Sequence, residues 1–212
     1  MNIAYLTTVY PSVSHTFIRR EILQLEKAGH TIHRFSVRAP KKCVDALDQV
    51  ERDKTFYCLE QSLVKMFIQT LLFFMTHPIK WLKAFKETCK FSSQSERGLI
   101  RHLAYLVEAI SLGVELQSRN VSHVHVHFGT NATAVAYLVK QLVGVSYSFT
   151  AHGPDEFDAP IGLSLNKKII ESSFVVAISN YGAAQLKRWV PLHQWKKIYV
   201  VGCSIEIGRA HV

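Results

Sequence analysis

Three histidines occupy alternating positions in the stretch SHVHVHFGTNAT, residues 122–133. Alternate side chains of a β-strand share one face, so His123, His125 and His127 either hold a metal ion or lead to a binding loop at the end of the strand. His123 and His127 would lie about 13 Å apart at ~3.3 Å per residue, which is too far to share one ion. Only a neighbouring pair with a remote third residue would make a metal site. We therefore expect no metal, and a structural role for His123.

Apolar runs typical of strands alternate with helical stretches along the chain. In residues 10–30, Ile18, Ile22 and Leu25 recur at helical spacing, and a long amphipathic helix begins near Ser95. The predicted strands cover residues 3–9, 31–37, 55–59, 123–127, 146–150, 174–179 and 197–202. Further helices are predicted over residues 132–143, 163–172 and 181–190, and a basic connection joins the second and third strands. Strands separated by helices imply parallel crossovers, so the sequence predicts an α/β fold with a doubly wound, mainly parallel sheet.

Loops rich in polar residues and glycine follow three successive predicted strands. They begin in FGTNAT (128–133), FTAHGPDEFDAP (149–160) and AISNYG (177–182). In open parallel sheets, ligands bind beyond the carboxyl ends of the strands, so these loops indicate a binding edge. In the last loop, we expect Ser179 and Asn180 to cap the following helix.

The composition of the 212-residue chain limits its partners. With 25 Lys and Arg against 16 Asp and Glu, the net charge is +9, which favours polyanionic partners. No nucleic-acid-binding motif is present, so an anionic membrane or a nucleotide diphosphate is the better expectation. The four cysteines form no CxxC pair and the first residues do not resemble a signal peptide, which together indicate reduced thiols and a cytoplasmic protein.

The stretch 62–90, SLVKMFIQTLLFFMTHPIKWLKAFKETCK, is the one candidate for membrane contact in the sequence. Its apolar part is interrupted by Lys65 and Gln69 and ends at Pro78, short of the ~20 residues that a spanning helix needs. Aromatic residues mix with lysines in its second half. This pattern predicts an amphipathic helical hairpin that either lies on the inner face of the cell membrane or packs on the domain with a solvated basic face.

Three longer motifs together resemble the amino-terminal domain of family 4 glycosyltransferases, in the branch that makes exopolysaccharides such as colanic acid. They are YPSVSHTFIRREILQLEKAGH, VHVHFGTNATAVAYLVKQLVGVSYSFTAHGPDEF and VVAISNYGAAQLKRW, in the family's order. The resemblance implies one Rossmann-like half of the two-domain GT-B architecture, on the side that receives the acceptor. It also implies a retaining transfer from a nucleotide-sugar to a polysaccharide or lipid-linked acceptor, without a bound metal or other cofactor.

The resemblance also assigns roles to residues. His152 in TAHGPD matches the family's catalytic histidine against the donor sugar and its phosphate, where an imidazole bonds a sugar hydroxyl or, if protonated, offsets phosphate charge. Asp155 and Glu156 would bind acceptor hydroxyls, the alternative being solvated loop charges. His127 and Gly129 would line the cleft, with the glycine allowing close backbone approach to the substrate.

Ser14, His15 and Thr16 stand where many members of the family have a glycine-rich first loop. This departure is typical of the exopolysaccharide branch, and the three residues are expected to contribute to substrate binding at the start of the first helix.

The end of the sequence raises a separate expectation about domains. The heptapeptide EIGRAHV reads as the translation of a common sequencing adapter, so we expect the Rossmann-like domain to cover 1–204, with an artefactual tail at 205–212. The donor-binding domain would then be missing, and the fragment alone would be inactive. The alternative is a stand-alone Rossmann-like binding or regulatory module without catalysis.

Overall fold

Seven parallel strands form a single sheet in the computed structural model of the chain, in the order β3-β2-β1-β4-β5-β6-β7. The structure describes residues 1–42 and 46–202, so Cys43, Cys203 and the predicted tail 205–212 lie outside it. The strands are β1 Asn2–Val9, β2 Thr31–Arg38, β3 Thr55–Tyr57, β4 His123–His127, β5 Ser146–Ala151, β6 Val175–Ala177 and β7 Ile198–Val200. The predicted α/β, doubly wound, Rossmann-like sheet is confirmed.

Helices connect every pair of consecutive strands. They are α1 Thr16–Lys27, α2 Ala46–Lys54, α3 Leu63–Thr76, α4 Pro78–Ser93, α5 Gly98–Ser118, α6 Asn131–Val143, α7 Pro154–Phe157, α8 Leu165–Glu171 and α9 Asn180–Lys187. Short 3-10 turns at Val13–His15, Cys58–Glu60 and Leu192–Lys197 complete the connections. Each crossover returns the chain to a parallel strand, which is why the alternating pattern in the sequence determines this architecture.

The two faces of the sheet pack against different helices. Tyr5 and Ile32 point toward α1, where they form a small core with Ile18 and Ile22. The neighbouring residues along the strands, such as Leu6, belong to a much larger core that α5 and α6 cover. Successive residues of a strand point to opposite faces of the sheet, so each strand contributes side chains to both cores.

The strand order reverses at the centre of the sheet: from β1 the chain adds strands first on one side and then, from β4 onward, on the other. β1 pairs with β2 on one side and with β4 on the other, with Ile3 opposite His123 and Tyr5 opposite His125. The loops after β1 and β4 therefore lead to helices on opposite faces. In sheets of this kind, a crevice opens between such loops, and ligands bind there.

Helices α3 and α4 form the predicted hairpin and pack one side on the large core. Met66, Ala84 and Phe91 are buried, while Trp81 and Phe85 are partly buried against the same core. The other side of the hairpin stays exposed. No helix within the described residues has the length and apolar character needed to cross a bilayer.

Helix α2 lies where the sequence indicated only a basic connection. Its inward residues are Asp48 and Glu51, which are buried although they are acidic. Glu51 accepts hydrogen bonds from Arg34, and Asp48 pairs with Arg19 at 2.8 Å. The helix therefore buries its inner face through ion pairs, which hydrophobic periodicity does not detect.

Glu108 on α5 is a buried acid whose Oε2 has no hydrogen-bond partner among the described residues. Burial raises the pKa of its carboxyl from 4.5 to about 7, although the Arg38 charge acts in the opposite direction. The folded protein therefore keeps a proton that the unfolded chain releases between these pH values. Because the pKa of Glu108 is higher in the folded state than in the unfolded state, protonation of this carboxyl favours folding. That stabilisation is fully present below pH 4.5 and is lost as the pH rises to 7.

We expect Glu108→Gln to be more stabilising at pH 8 than at pH 4.5. The change that it causes in the free energy of unfolding should be higher at pH 8 by up to about 3 kcal/mol. Urea unfolding of both proteins at the two pH values measures this difference. Glu96→Gln, at an exposed acid just before the same helix, is the control and should leave the difference near zero. An equal effect of Glu108→Gln at both pH values would contradict the assignment.

Candidate functional site

The loops after β1, β4 and β5 meet at the carboxyl edge of the sheet, at the point where chain progression reverses. The His15 ring lies 5.2 Å from that of Phe128, and Phe128 lies 4.5 Å from His152. Phe17, in the first turn of α1, packs 5.0 Å from His152 on another side. The structure thus brings His15, His127 and His152 together among aromatic rings, as expected from the strand order.

His152 and His127 form a direct imidazole pair. Nδ1 of His127 lies 3.1 Å from Nε2 of His152, so one of the two nitrogens donates a proton to the other. Burial, with a smaller contribution from His15, lowers the pKa of His152 to about 4. Burial also lowers the pKa of His127 well below its ordinary value. Both pKa values lie below 7, which favours neutral rings at that pH.

The other two histidines of β4 bond to hydroxyl groups of β5. His123 contacts Ser146 and Ser148 at 2.7 Å each, and His125 contacts Ser148 at 2.8 Å and Thr150 at 3.0 Å. Strand register causes this, because β4 pairs with β5 so that these side chains face one another in order. Hydroxyl groups both donate and accept, so one continuous row of hydrogen bonds satisfies the buried imidazoles. His123 has the structural role that the sequence predicted.

A cavity of about 670 Å³ opens beside this row, on the face of the sheet that α1 covers only in part. Its walls come from α1 and from β1, β4, β5 and β6, and Val201 and Gly202 lie at its rim. The volume is in the range of small-molecule sites, which are concave and mostly apolar with a few polar groups. The residues that line it with polar atoms are Arg20, Glu21, Gln24, His123, His125, His127, Ser148, Thr150 and His152.

Glu156 holds the two central loops together from inside the protein. Its side chain is buried and accepts hydrogen bonds from the backbone N–H groups of Gly129 (2.8 Å), His152 (3.3 Å) and Gly153 (3.0 Å). A Cβ at Gly129 would lie 3.0 Å from Cγ of Glu156. The close approach that requires glycine is therefore to Glu156. With these bonds made, Glu156 organises the site instead of meeting solvent.

Lys168 of α8 secures the same loop from the opposite side. Its buried Nζ donates to the carbonyls of Gly129 (3.0 Å) and Thr130 (2.7 Å). Burial lowers the pKa of this amine to about 7, with the Arg97 charge acting in the same direction. Phe128, just before these carbonyls, has a φ of 71°, an unusual conformation for a large side chain. A tightly bonded loop thus presents a strained residue to the site.

The remaining predicted residues lie around this centre. Asp155 is exposed in α7, whereas the neighbouring Glu156 is buried. Ser14 is exposed in the turn before α1, and Thr16 is the first residue of that helix. Nδ1 of His15 donates to the Val9 carbonyl at 3.2 Å, which fixes its ring over the site. At the next strand end, Ser179 caps α9 by accepting from the backbone of Gly182, as predicted, whereas Asn180 is the first residue of that helix and not its cap.

Sequence reasoning missed Phe17, Glu21 and Lys168. Phe17 and Glu21 each directly precede a residue of the apolar stripe on α1, Ile18 and Ile22, so they lie at the edge of its buried face. Their position at the edge of this face is the one feature of the sequence that could have indicated that they lie in the site. A lysine in a short helix gives no signal of burial, because lysine is almost never fully buried.

No protein-family model and no curated protein sequence matches this chain. Solved structures do match it in fold. One is a UDP-N-acetylglucosamine 2-epimerase from Rickettsia bellii, with a TM-score of 0.51 and 13% sequence identity, over 96% of this chain. The match covers 45% of the epimerase chain, so this chain spans less than half the length of that protein. At this identity, the likeness shows a shared Rossmann-like fold.

Replacing Glu156 tests whether the loops depend on it. We expect Glu156→Gln to lower the free energy of unfolding by about 1–3 kcal/mol, because one amide oxygen cannot replace two carboxylate oxygens as acceptor for three N–H groups. Urea unfolding measures this loss. Asp155→Asn, the neighbouring exposed acid, is the matched control and should change stability by less than about 0.5 kcal/mol. Equal effects of the two substitutions would contradict the role of Glu156.

Proposed function

We propose that the chain is the acceptor-side half of a glycosyltransferase, one that transfers a sugar from a nucleotide-sugar to a polysaccharide or lipid-linked acceptor. The observation that carries this proposal is the convergence of His15, His127 and His152 at the point where chain progression reverses in an all-parallel sheet. A ligand bound there would face neutral imidazoles, aromatic rings and a loop with fixed backbone. The three motifs that resemble family 4 glycosyltransferases lie around this crevice.

The fold is consistent with nucleotide-sugar chemistry. The Rossmann-like match is to an enzyme named for a UDP-sugar, and it covers nearly all of this chain but less than half of that enzyme. A second domain would complete such a site, since transfer requires groups that position the donor and stabilise charge on the leaving diphosphate. The resemblance to retaining enzymes makes retention of anomeric configuration part of the proposal.

His152 is the proposed catalytic residue. Its Nε2 is taken by His127, and its Nδ1 would exchange a hydrogen bond with a hydroxyl of the donor sugar. A neutral imidazole suits this role, because the buried ring need not lose a proton before it accepts a hydrogen bond. Asp155, which is exposed at the same edge, would accept from acceptor hydroxyls.

We expect His152→Ala to lower turnover by about 10²-fold in the complete gene product, in the range for loss of one positioned polar group. Transfer from labelled nucleotide-sugars to a lipid-linked acceptor measures this. His193→Ala, an exposed histidine in the turn before β7, is the control and should leave turnover unchanged. Near-normal turnover of His152→Ala would show that His152 has only a packing role. Full activity of the 212-residue chain alone would contradict the proposal that it is one half of the enzyme.

The hairpin of α3 and α4 is the proposed contact with an anionic membrane at its cytoplasmic face. Helix α3 exposes a continuous apolar face, with Leu63 79% and Phe67 68% accessible and with Leu71 and Met75 following at helical spacing. Monomeric proteins rarely expose such a face without a partner. Lys65 and, on α4, exposed lysines supply the positive charge that anionic lipids attract. Such contact would hold the chain at the membrane, where lipid-linked acceptors are found.

The sequence emphasised the aromatic residues of the second half, but the exposed apolar face is mainly that of α3. Phe73, Trp81 and Phe85 pack partly against the large core and leave Phe67 and Phe74 as exposed rings. The membrane experiment therefore needs variants of α3 as well as of the lysines.

We expect binding to vesicles with anionic lipid to fall steeply with salt, because exposed charges are screened. Lys80→Glu, Lys83→Glu and Lys86→Glu together should remove roughly 1 kcal/mol of binding per lysine. Phe67→Glu with Leu71→Glu should reduce binding at least about tenfold, since buried apolar area is lost. Leu192→Glu, another exposed leucine, is the control. Equal binding of all variants in vesicle sedimentation would contradict membrane contact through the hairpin.

A further inference from the structure

One ring nitrogen of the histidine row has no hydrogen bond. His127 is 1% exposed, and its Nε2 has no hydrogen-bond partner within residues 1–42 and 46–202. A carboxylate oxygen of Glu21, Oε2, lies 3.6 Å from this nitrogen. An unsatisfied buried nitrogen is costly, and its occurrence here requires an explanation.

Glu21, His125 and His127 each offer one potential ligand atom, and these three atoms lie within 4.8 Å of one another. Two ligands of a tetrahedral Zn²⁺ ion stand about 3.4 Å apart, given metal–ligand distances of about 2.1 Å. The separation of 3.6 Å between His127 and Glu21 is close to this value. We propose that these three side chains bind a divalent transition metal ion of the Zn²⁺ class at the wall of the cavity.

Two of the three ligands, His127 and Glu21, are oriented by a second residue, as is usual around metal ions. Nδ1 of His127 faces Nε2 of His152 at 3.1 Å, which leaves Nε2 directed at the site. Tyr5 donates to Oε1 of Glu21 at 2.5 Å, which leaves Oε2 free. His125 bonds to Ser148 and Thr150, and it gives up one of these hydroxyl bonds when it turns to the ion.

The donor set determines which ion fits. Two imidazoles and one carboxylate suit Zn²⁺ and similar transition metals, whereas Mg²⁺ and Ca²⁺ prefer oxygen ligands alone. Three protein ligands leave at least one coordination position open. Glu21, His125 and His127 all line the cavity, so that position would face the space where a small molecule fits.

This inference revises the expectation from sequence, for a structural reason. The separation of His123 and His127 still excludes the whole row from one ion. The neighbouring pair His125 and His127 needed a remote third ligand, and α1 brings Glu21 to it across the face of the sheet. His127 belongs to both proposed sites, but the inference is tested independently of the proposed transferase activity, because metal binding is measured without any sugar.

The experiment titrates the metal-free 212-residue chain with Zn²⁺ by calorimetry, and with Co²⁺ by visible absorption. We expect one ion per chain and ligand-field bands typical of nitrogen and oxygen donors. Glu21→Gln, at a partly exposed helix position that should fold normally, and His127→Asn should each weaken binding at least tenfold. Tyr5→Phe, which removes only the orienting bond to Glu21, should weaken it by about tenfold or more.

His193→Gln is the control, because this exposed histidine lies outside the cavity and the histidine row, and the variant should bind Zn²⁺ like the parent. A binding ratio near zero would overturn the proposal. So would equal affinity of the parent and Glu21→Gln, or thiolate-to-cobalt charge-transfer bands, which would assign the ion to cysteines. Loss of transferase activity in His152→Ala would have no bearing on these results.

Discussion

The pairing of β1 with β4 is the constraint on which the rest of this structure depends. It joins the two directions of chain progression at the centre of the sheet and brings Tyr5 opposite His125. Because the crossovers on either side leave toward opposite faces, the loops after these strands cannot cover one another. The crevice, the cavity and the ring cluster all follow from that separation.

Buried imidazoles are stable on this half of the sheet because β5 supplies hydroxyl groups in register with them. The row would otherwise place several unsatisfied nitrogens in an apolar setting, at a substantial desolvation cost. The same burial keeps the rings neutral, which makes them hydrogen-bonding groups and potential metal ligands. The row ends at His127, where the next partner is an imidazole and not a hydroxyl group. The proposed catalytic residue and the proposed metal site both lie at this end of the row.

The structure divides stability and recognition between different groups. Glu156 and Lys168 are buried, and their hydrogen bonds fix the backbone of the loops that carry His127 and His152. Asp155 and the exposed face of α3 make no such contribution and are available to a ligand or a surface. Buried hydrogen bonds thus fix the loops that carry the proposed substrate site.

The sequence by itself determined the succession of strands and helices along the chain, and with it the parallel sheet, but not the order of the strands within that sheet. Hydrophobic periodicity is local, so it showed α1, α5 and β4 directly. It failed for α2, whose inner face is buried by Asp48 and Glu51 through ion pairs with arginines distant in sequence. Resemblance to a family pointed to His152 and the neighbouring loop.

Only the tertiary structure decided what each site residue contacts. Asp155 and Glu156 are adjacent and chemically alike, yet one is exposed and the other accepts three backbone hydrogen bonds. Glu21 is about a hundred residues from the histidines and reaches them only because α1 packs on the same face as β4. Such contacts depend on how distant elements pack, and residue spacing along the chain does not predict that packing.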